Sequence, residues 1–325
     1  MTRKVLITGG AGFIGSHLVD ALVAEKGWHI TVADDLNDFY SPALKRANIA
    51  KHIGSSHFQF SEIDIRDRIA LESLFDENSF DVIVHLAARA GVRPSLLEPE
   101  LYVETNVNGT MNLLEMAREF EVPQFVFGSS SSVYGVNCKV PFNESDPIFK
   151  PISPYAATKA AGELLCHTYS HLYDLRCVCL RFFTVYGARQ RPDLAICKFA
   201  RQILEGKPIQ MFGDGTTRRD YTYVEDIVQG VRAAIDYRGS KFDIFNLGES
   251  ETTELSHLIE LLEESLSRKA VIERKPMQPG DVPVTFADIT KARKLLGYSP
   301  TTKIADGIPK FVEWFRSANE IAVIA

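Results

Sequence analysis

Lys4-Val5-Leu6-Ile7-Thr8-Gly9-Gly10-Ala11-Gly12-Phe13-Ile14-Gly15 decides the fold. Lys4–Thr8 reads as a short buried strand. Ile14, Leu18, Ala21 and Leu22 then recur at helical spacing, so a helix follows. Between the two lies G-x-x-G-x-x-G. Gly9 permits a tight turn, Gly12 lets backbone approach a pyrophosphate, and Gly15 lets helix pack on strand. Unpaired N–H groups at the helix start, from Phe13 and Ile14 onward, face the phosphates. The next strand, His29–Ala33, runs into Asp34, where a carboxylate binds ribose hydroxyls. An acid there repels a 2′-phosphate, so the cradle predicts NAD rather than NADP. Asp35 is the adjacent candidate and reads equally well as a loop or cap residue.

Outward from the cradle, apolar runs recur at 58–63, 81–86, 124–127 and 177–181, with helical segments near 41–53, 68–78, 100–120 and 155–173. Alternating strand and helix predicts right-handed crossovers and an α/β fold: a doubly wound parallel sheet of Rossmann type, with ligands beyond the carboxyl ends of its strands. Asp64-Ile65 closes the third strand, where an adenine edge lies or an ordinary helix cap sits. Leu86-Ala87-Ala88 ends the fourth with residues that permit close cofactor approach. His85 reads as a satisfied sheet histidine rather than a ligand. After about residue 185 the pattern loosens, with helices expected at 194–205, 224–237, 253–267 and 304–317 and strands near 208–211, 243–247 and 271–274. The expected division is a dinucleotide-binding domain over 1–185, also receiving segments near 220–248, and a smaller C-terminal substrate lobe over 186–325.

Composition narrows the function classes. The 325 residues are 45% hydrophobic, enough for a sizeable core, and the formal net charge of -6 argues against non-specific nucleic-acid binding. No apolar run approaches the roughly 20 residues of a membrane span, and no secretory segment is expected. Five cysteines (Cys138, Cys166, Cys177, Cys179 and Cys197) lack metal-ligand spacing. Cys177 and Cys179 share one face of a buried strand and read as core. No metal is expected, and a reducing cytoplasm is the expected location.

Tyr155 and Lys159 stand at i and i+4 on the 155–173 helix and share a face, with Pro154 suited to the helix entry. A phenol with a pKa of about 10 is a poor base at neutral pH. A nearby ammonium, with oxidised nicotinamide, stabilises the phenolate. Upstream, Ser129-Ser130-Ser131-Ser132 follows a strand, and hydroxyls there can hold a substrate hydroxyl.

These residues resemble the extended short-chain dehydrogenase/reductases that act on nucleotide sugars. The resemblance spans nearly the whole chain: GGAGFIG at 9–15, HLAA at 85–88, SSSSVYG at 129–135, SPYAATK at 153–159, RFFTVYG at 181–187, GDGTTRRDYTYVEDI at 213–227 and PGDVPVTFADITKARKLLGY at 279–298. It implies Ser130 as the catalytic hydroxyl, with Ser132 beside it, Tyr155 as base and acid, and Lys159 as its ribose-binding partner. Asn106 matches a family asparagine near the cofactor; otherwise it caps a turn. The family usually dimerises through helices near 100–120 and 155–173, which implies a homodimer.

The resemblance also bears on the reaction. Family members share a first step, in which the tyrosine takes the 4-hydroxyl proton and C4 gives hydride to NAD. Sugar-nucleotide dehydratases and the decarboxylase that makes UDP-xylose carry acids directly after the catalytic hydroxyl. Here those positions are Ser131 and Ser132, which favours 4-epimerisation. Ala90–Arg93, Thr184–Gly187 and Arg191-Pro192-Asp193 resemble the UDP-glucuronate 4-epimerase branch. A C6 carboxylate calls for a fixed guanidinium. Arg191 is the first candidate, with Arg93 and Arg89 behind it, unless these arginines hold diphosphate or surface carboxylates. Thr184 and a serine from 130–132 help fix the carboxylate. By resemblance, Arg219 binds the diphosphate and Asp281 meets the uridine ribose. Gln278 replaces an arginine frequent in UDP-glucose epimerases. Arg89 and Pro94 depart from the family's usual glutamine and aromatic. Arg181 reads as a sheet anchor. The expected substrate is UDP-glucuronate; the alternatives are a neutral UDP-sugar 4-epimerase and a non-catalytic NAD sensor.

Overall fold

Seven parallel strands form the central sheet of the computed structural model, which describes residues 2–137, 139–276 and 282–324, the last six as helix backbone only. Cys138, Gln278 and Asp281 lie outside the described residues. The strands are β1 (Arg3–Thr8), β2 (Trp28–Asp34), β3 (Phe58–Glu62), β4 (Val82–His85), β5 (Gln124–Ser130) and β6 (Arg176–Phe182), joined much later in the chain by Phe242–Leu247. In space the order is 3-2-1-4-5-6, with the late strand outside β6. Strand order reverses between β1 and β4, and a ligand crevice opens beyond strand ends at such a switch point. Both sheet faces are covered, which is why β1, β4 and β5 read as nearly continuous apolar runs.

The crossovers are α1 (Phe13–Glu25), α2 (Pro42–Ile49) and α3 (Arg68–Glu77). They are followed by α4 (Val92–Leu97) and α5 (Pro99–Val103), α6 (Gly109–Glu119) and the long α7 (Pro154–Tyr173). Sequence periodicity predicts one helix over 100–120. A π-turn at Glu104–Asn108 interrupts it, a wider turn of the kind that recurs at functional sites. It carries Asn106, which is 2% exposed. α4 and α5 precede it, and α4 has no counterpart in the sequence reading.

Beyond β6, short β7 (Thr184–Tyr186) is followed by α8 (Ala195–Glu205), β8 (Pro208–Phe212), β9 (Arg218–Arg219), β10 (Tyr221–Tyr223) and α9 (Val224–Asp236). After the late sheet strand, β11, come β12 (Thr253–Glu254), α10 (Leu255–Leu266), β13 (Val271–Lys275), α11 (Thr290–Leu296) and α12 (Ile304–Ile324). Four of these strands, β7, β9, β10 and β12, are too short to show a period. They exist through pairing of β10 with β7 and of β12 with β9. A separate apolar core joins α8, α10 and α12 through Ile196, Phe199, Leu258, Leu262, Phe311 and Phe315. Residues Ala287, Ile289 and Ala292 pack instead with the main sheet's core.

Among the described residues no helix is long and apolar enough to cross a membrane.

Candidate active site

The glycine loop is built by close approach. Gly9 has φ +70, in the left-handed region, and a Cβ there falls 2.7 Å from the Ala87 nitrogen. At Gly15 a Cβ falls 2.3 Å from the Gly9 carbonyl oxygen, so helix and loop touch only because Gly15 lacks a side chain. Gly12 caps α1 with no side-chain hydrogen bond, which leaves the first-turn N–H groups of Phe13 and Ile14 for an anion. Ala87 and Leu86, at the end of β4, are held by Thr8 through its Oγ1 and backbone oxygen. Ala88 follows them, half-buried.

Asp34 ends β2 almost buried, its Oδ2 accepting from the Ala11 N–H at 3.1 Å and its Oδ1 from Leu36 at 3.0 Å. Burial raises its pKa against the opposing charge of Lys45. Lys45 is itself buried and donates to the Asn37 carbonyl at 2.9 Å; nothing in the local pattern of α2 marks it. These residues fit a dinucleotide: a tight phosphate cradle next to a carboxylate at the end of the adjacent strand. Asp35 instead closes a small turn with Asn37. Asp64 accepts from the backbone and guanidinium of Arg66, while Asp67 caps α3. Ile65 packs on Gly109, where any Cβ falls 2.6 Å from Ile65 Cδ1.

Asn106 braces the loop after β4. Its Oδ1 accepts from Arg89 N–H at 2.8 Å, and its Nδ2 donates to Arg89 oxygen at 2.9 Å and to Thr158 Oγ1 at 3.0 Å. The next residue, Ala90, offers its carbonyl to both the Tyr102 hydroxyl at 3.1 Å and Arg191 Nη2 at 3.3 Å. His85 is satisfied on both ring nitrogens, by Thr8 at 2.7 Å and Thr110 at 2.9 Å.

Ser153 caps α7 and starts it so that Tyr155 falls in the first turn. The Tyr155 ring meets the edge of Tyr102 at 6.2 Å. Burial raises the phenol's pKa, opposed by a hydrogen bond with Ser130 and by the charge of Arg191. Lys159 is turned to the Gly128 carbonyl at 2.7 Å and sits 5.0 Å over the Phe127 ring. Burial lowers its pKa to about 8. Ser132 donates to Ser130 Oγ through both its N–H at 3.2 Å and its hydroxyl at 3.0 Å, and Ser131 opens the same turn, half-buried.

Arg191 is mostly buried, at 15% side-chain exposure, and is held bidentately by Asp193, through Nε at 2.9 Å and Nη2 at 2.7 Å. None of these bonds uses Nη1. Thr184 begins β7, with its N–H on the Asp220 carbonyl. Arg93 rests 4.8 Å over the Phe212 ring at the end of β8, and Arg219 donates to the Arg218 carbonyl at 2.9 Å. Arg181 is an anchor: it forms a two-pronged ion pair with Glu163, both side chains 2% exposed, and Glu163 also accepts from Ser129 at 2.5 Å. Glu163 was not singled out from the sequence. The signal was there as a lone acid in the apolar stripe of α7 and a lone arginine ending the apolar run of β6. Among the described residues, no three His, Cys, Asp or Glu side chains gather as a metal site.

A doubly wound sheet, a glycine cradle at its switch point and a tyrosine–lysine helix beside a strand-end serine define an extended short-chain dehydrogenase/reductase acting on nucleotide sugars. The chain belongs to the GDP-mannose 4,6 dehydratase family, whose sequence model matches residues 6–311. The UDP-glucuronate 4-epimerase of Thermodesulfobacterium geofontis is 43% identical over 317 residues, covering 97% of each chain. Among solved structures, UDP-glucuronic acid 4-epimerase from Bacillus cereus, in complex with UDP-glucuronic acid and NAD, superposes with TM-score 0.91 at 38% identity over 97% of this chain and 100% of that one. The UDP-glucose 4-epimerase of Thermotoga maritima, with UDP-glucose, gives 0.89 at 34% identity over 98% and 100%.

Proposed function

We propose that this chain is an NAD-dependent 4-epimerase that interconverts UDP-glucuronate and UDP-galacturonate through a transient 4-keto sugar. The observation that carries the reading is the turn after β5, where Ser131 and Ser132 follow Ser130 and Ser132 donates to the Ser130 hydroxyl, so that the two positions after the serine proposed to act with Tyr155 carry hydroxyls and not carboxylates. Elimination of a sugar hydroxyl calls for an acid there, whereas proton removal and return do not. The relatives that act on UDP-glucuronate, across nearly the whole chain, support the same substrate.

NAD, cradled by Gly9, Gly12–Gly15 and Asp34, supplies a reversible hydride acceptor. Asp35, Asp64, Ile65, Leu86–Ala88 and Asn106 frame the same crevice. Tyr155 takes the 4-hydroxyl proton, Ser130 holds that hydroxyl, and Lys159 fixes the strand end at Gly128 while its charge favours the phenolate. The ketone would turn in the pocket so that its opposite face receives the same hydride back at C4, while Tyr155 returns the proton to the C4 oxygen. A 4-keto uronic acid is a β-keto acid and loses carbon dioxide readily. Arg191, Thr184 and the hydroxyls of Ser131 and Ser132 hold the carboxylate out of the alignment that favours that loss. Arg93, Arg219 and Asp281 complete the binding of the UDP portion. Exposed Met111, Leu164 and Leu172 on α6 and α7 supply apolar surface for a homodimer, and the enzyme works in the cytoplasm.

The test is direct. Purified protein without added NAD is incubated separately with UDP-glucuronate, UDP-glucose and UDP-N-acetylglucosamine, and the products are resolved by chromatography. UDP-galacturonate is expected from the first. Conversion of the neutral sugars alone overturns the uronate reading in favour of a neutral-sugar epimerase. Arg191→Ala should impair UDP-glucuronate turnover more than any residual neutral-sugar turnover; equal losses refute its carboxylate role.

A further inference from the structure

The loop that presents Arg191 is held in a costly conformation. Gly187 has φ +143, and Arg189 has φ +60, a left-handed value uncommon for a residue with a side chain. Within the loop, Gln190 donates through its N–H to Gly187 at 3.3 Å and through its Nε2 to Val185 at 3.2 Å. Two buried polar atoms beside Arg191, Arg189 Nη1 and Gln190 Oε1, have no hydrogen-bond partner. Such a segment persists only when its surroundings determine it.

What determines it comes from α1, the helix that starts at the phosphate cradle. His17, one turn in, donates from Nε2 to the Ala188 carbonyl at 2.9 Å. Burial lowers its pKa to about 4, so the ring is neutral at pH 7 and keeps one N–H for this bond. Asp20, on the next turn, accepts from Arg189 Nη2 at 2.7 Å. Lys51, at 3.0 Å on the same oxygen, and His52, at 2.7 Å on Oδ1, also hold this carboxylate. Asp20 is therefore fixed before it meets Arg189, and residues 188 and 189 are pinned three and two positions before Arg191.

We infer that Asp20 and His17 are positioning residues, which aim Arg191 at the sugar through Arg189 and Ala188. The inference rests on the proposed role of Arg191 toward a substrate carboxylate. In this arrangement the cofactor helix and the substrate-reading arginine form one rigid unit. A sugar is then read against a guanidinium whose place is set by the same helix that seats the dinucleotide.

The test is a double-mutant cycle on the holoenzyme, with Asp20→Asn and Arg191→Ala made singly and together. KM and kcat for UDP-glucuronate are measured, with NAD content and thermal unfolding as controls. Asp20→Asn should raise KM roughly tenfold, the effect of losing one hydrogen bond to a charged group, with kcat and NAD content little changed. In the Arg191→Ala background the same substitution should change KM less than about twofold. Equal effects in both backgrounds, or none in the wild-type background, overturn the inference. If Asp20→Asn does not fold, Arg189→Gln leaves Asp20 paired with Lys51 and His52 and is read by the same criteria. Absence of UDP-glucuronate turnover by the unmodified enzyme instead refutes the underlying substrate reading, and the two failures are thereby distinct.

Discussion

Glu163→Gln tests whether the helix that carries Tyr155 and Lys159 is locked to the sheet by one buried ion pair. Tyr155, Lys159 and Glu163 lie four residues apart along α7 and so form one stripe. At the inner end of that stripe, Glu163 accepts from Arg181 Nε at 2.9 Å and Nη2 at 2.7 Å on β6, and from Ser129 on β5. Arg181 continues the network by lying 4.7 Å from the Tyr134 ring centroid, and the Tyr134 hydroxyl donates to Asn246 at 2.7 Å. Glutamine keeps the shape and an oxygen for Ser129. It leaves the Arg181 guanidinium charged without a counter-charge in a site 2% exposed. Removing one partner of a buried pair costs about 3–5 kcal/mol. The retained Ser129 contact places this case near the lower end. In a chain of this size each kcal/mol shifts Tm by about 2 °C, so thermal unfolding should begin some ~6 °C lower or more. Arg181→Met in the same background removes the stranded charge and should recover part of the loss. Differential scanning calorimetry of the single and double variants measures both. A Glu163→Gln Tm within about 2 °C of wild type would refute the reasoning, because the pair then contributes no more than a surface contact.

Tyr155→Phe removes the proposed acid–base group and should lower turnover by about 10²- to 10⁴-fold; NAD content and Tm should hold, and unchanged turnover overturns the catalytic assignment. Stability should fall in mild acid because the fold keeps two histidines neutral. Burial lowers His85 to about 3 and His17 to about 4, against an ordinary 6.5. Between 6.5 and those values the unfolded chain binds protons that the fold refuses. Their contribution is thus intact above pH 6.5 and lost as pH falls, by about 2 kcal/mol for each at pH 5. Urea unfolding across pH 5–7 measures the slope, and His85→Gln should make it shallower; an equal slope in that variant contradicts the assignment. Gly162→Ala should loosen α7 from β5, since its Cβ falls 2.3 Å from Phe127 Cζ and the same ring underlies Lys159. About 1–3 kcal/mol of stability is expected to go, with a drop in kcat; unchanged melting shows that the ring yields freely.

The features that the sequence reveals are those with a local cause. The β1 run, the three glycines and Asp34 obey spacing rules within thirty residues, and the structure assembles them as a cradle and strand end. Tyr155 and Lys159 share a helix face for the same reason. Partner choice has no such local cause. The π-turn that breaks the 100–120 helix turns Asn106 onto Arg89 and Thr158, seventeen and fifty-two residues away, which no periodicity records. Lys159 offers a similar case: its spacing from Tyr155 is visible, but the carbonyl that captures it belongs to β5. Glu163 and Arg181 show how far the limit can be moved. Each is a charge stranded among apolar neighbours, and a buried charge must be paired. Two of opposite sign, on a helix and strand that are successive in the chain, predict each other. Arg191 shows a limit of another kind. Its guanidinium reads as a ligand for a substrate carboxylate, yet Asp193, two residues on, already occupies Nε and Nη2. A candidate cation in a site is therefore to be weighed with the acids in its own turn. Whatever anion Arg191 meets must either use Nη1 or displace that internal carboxylate.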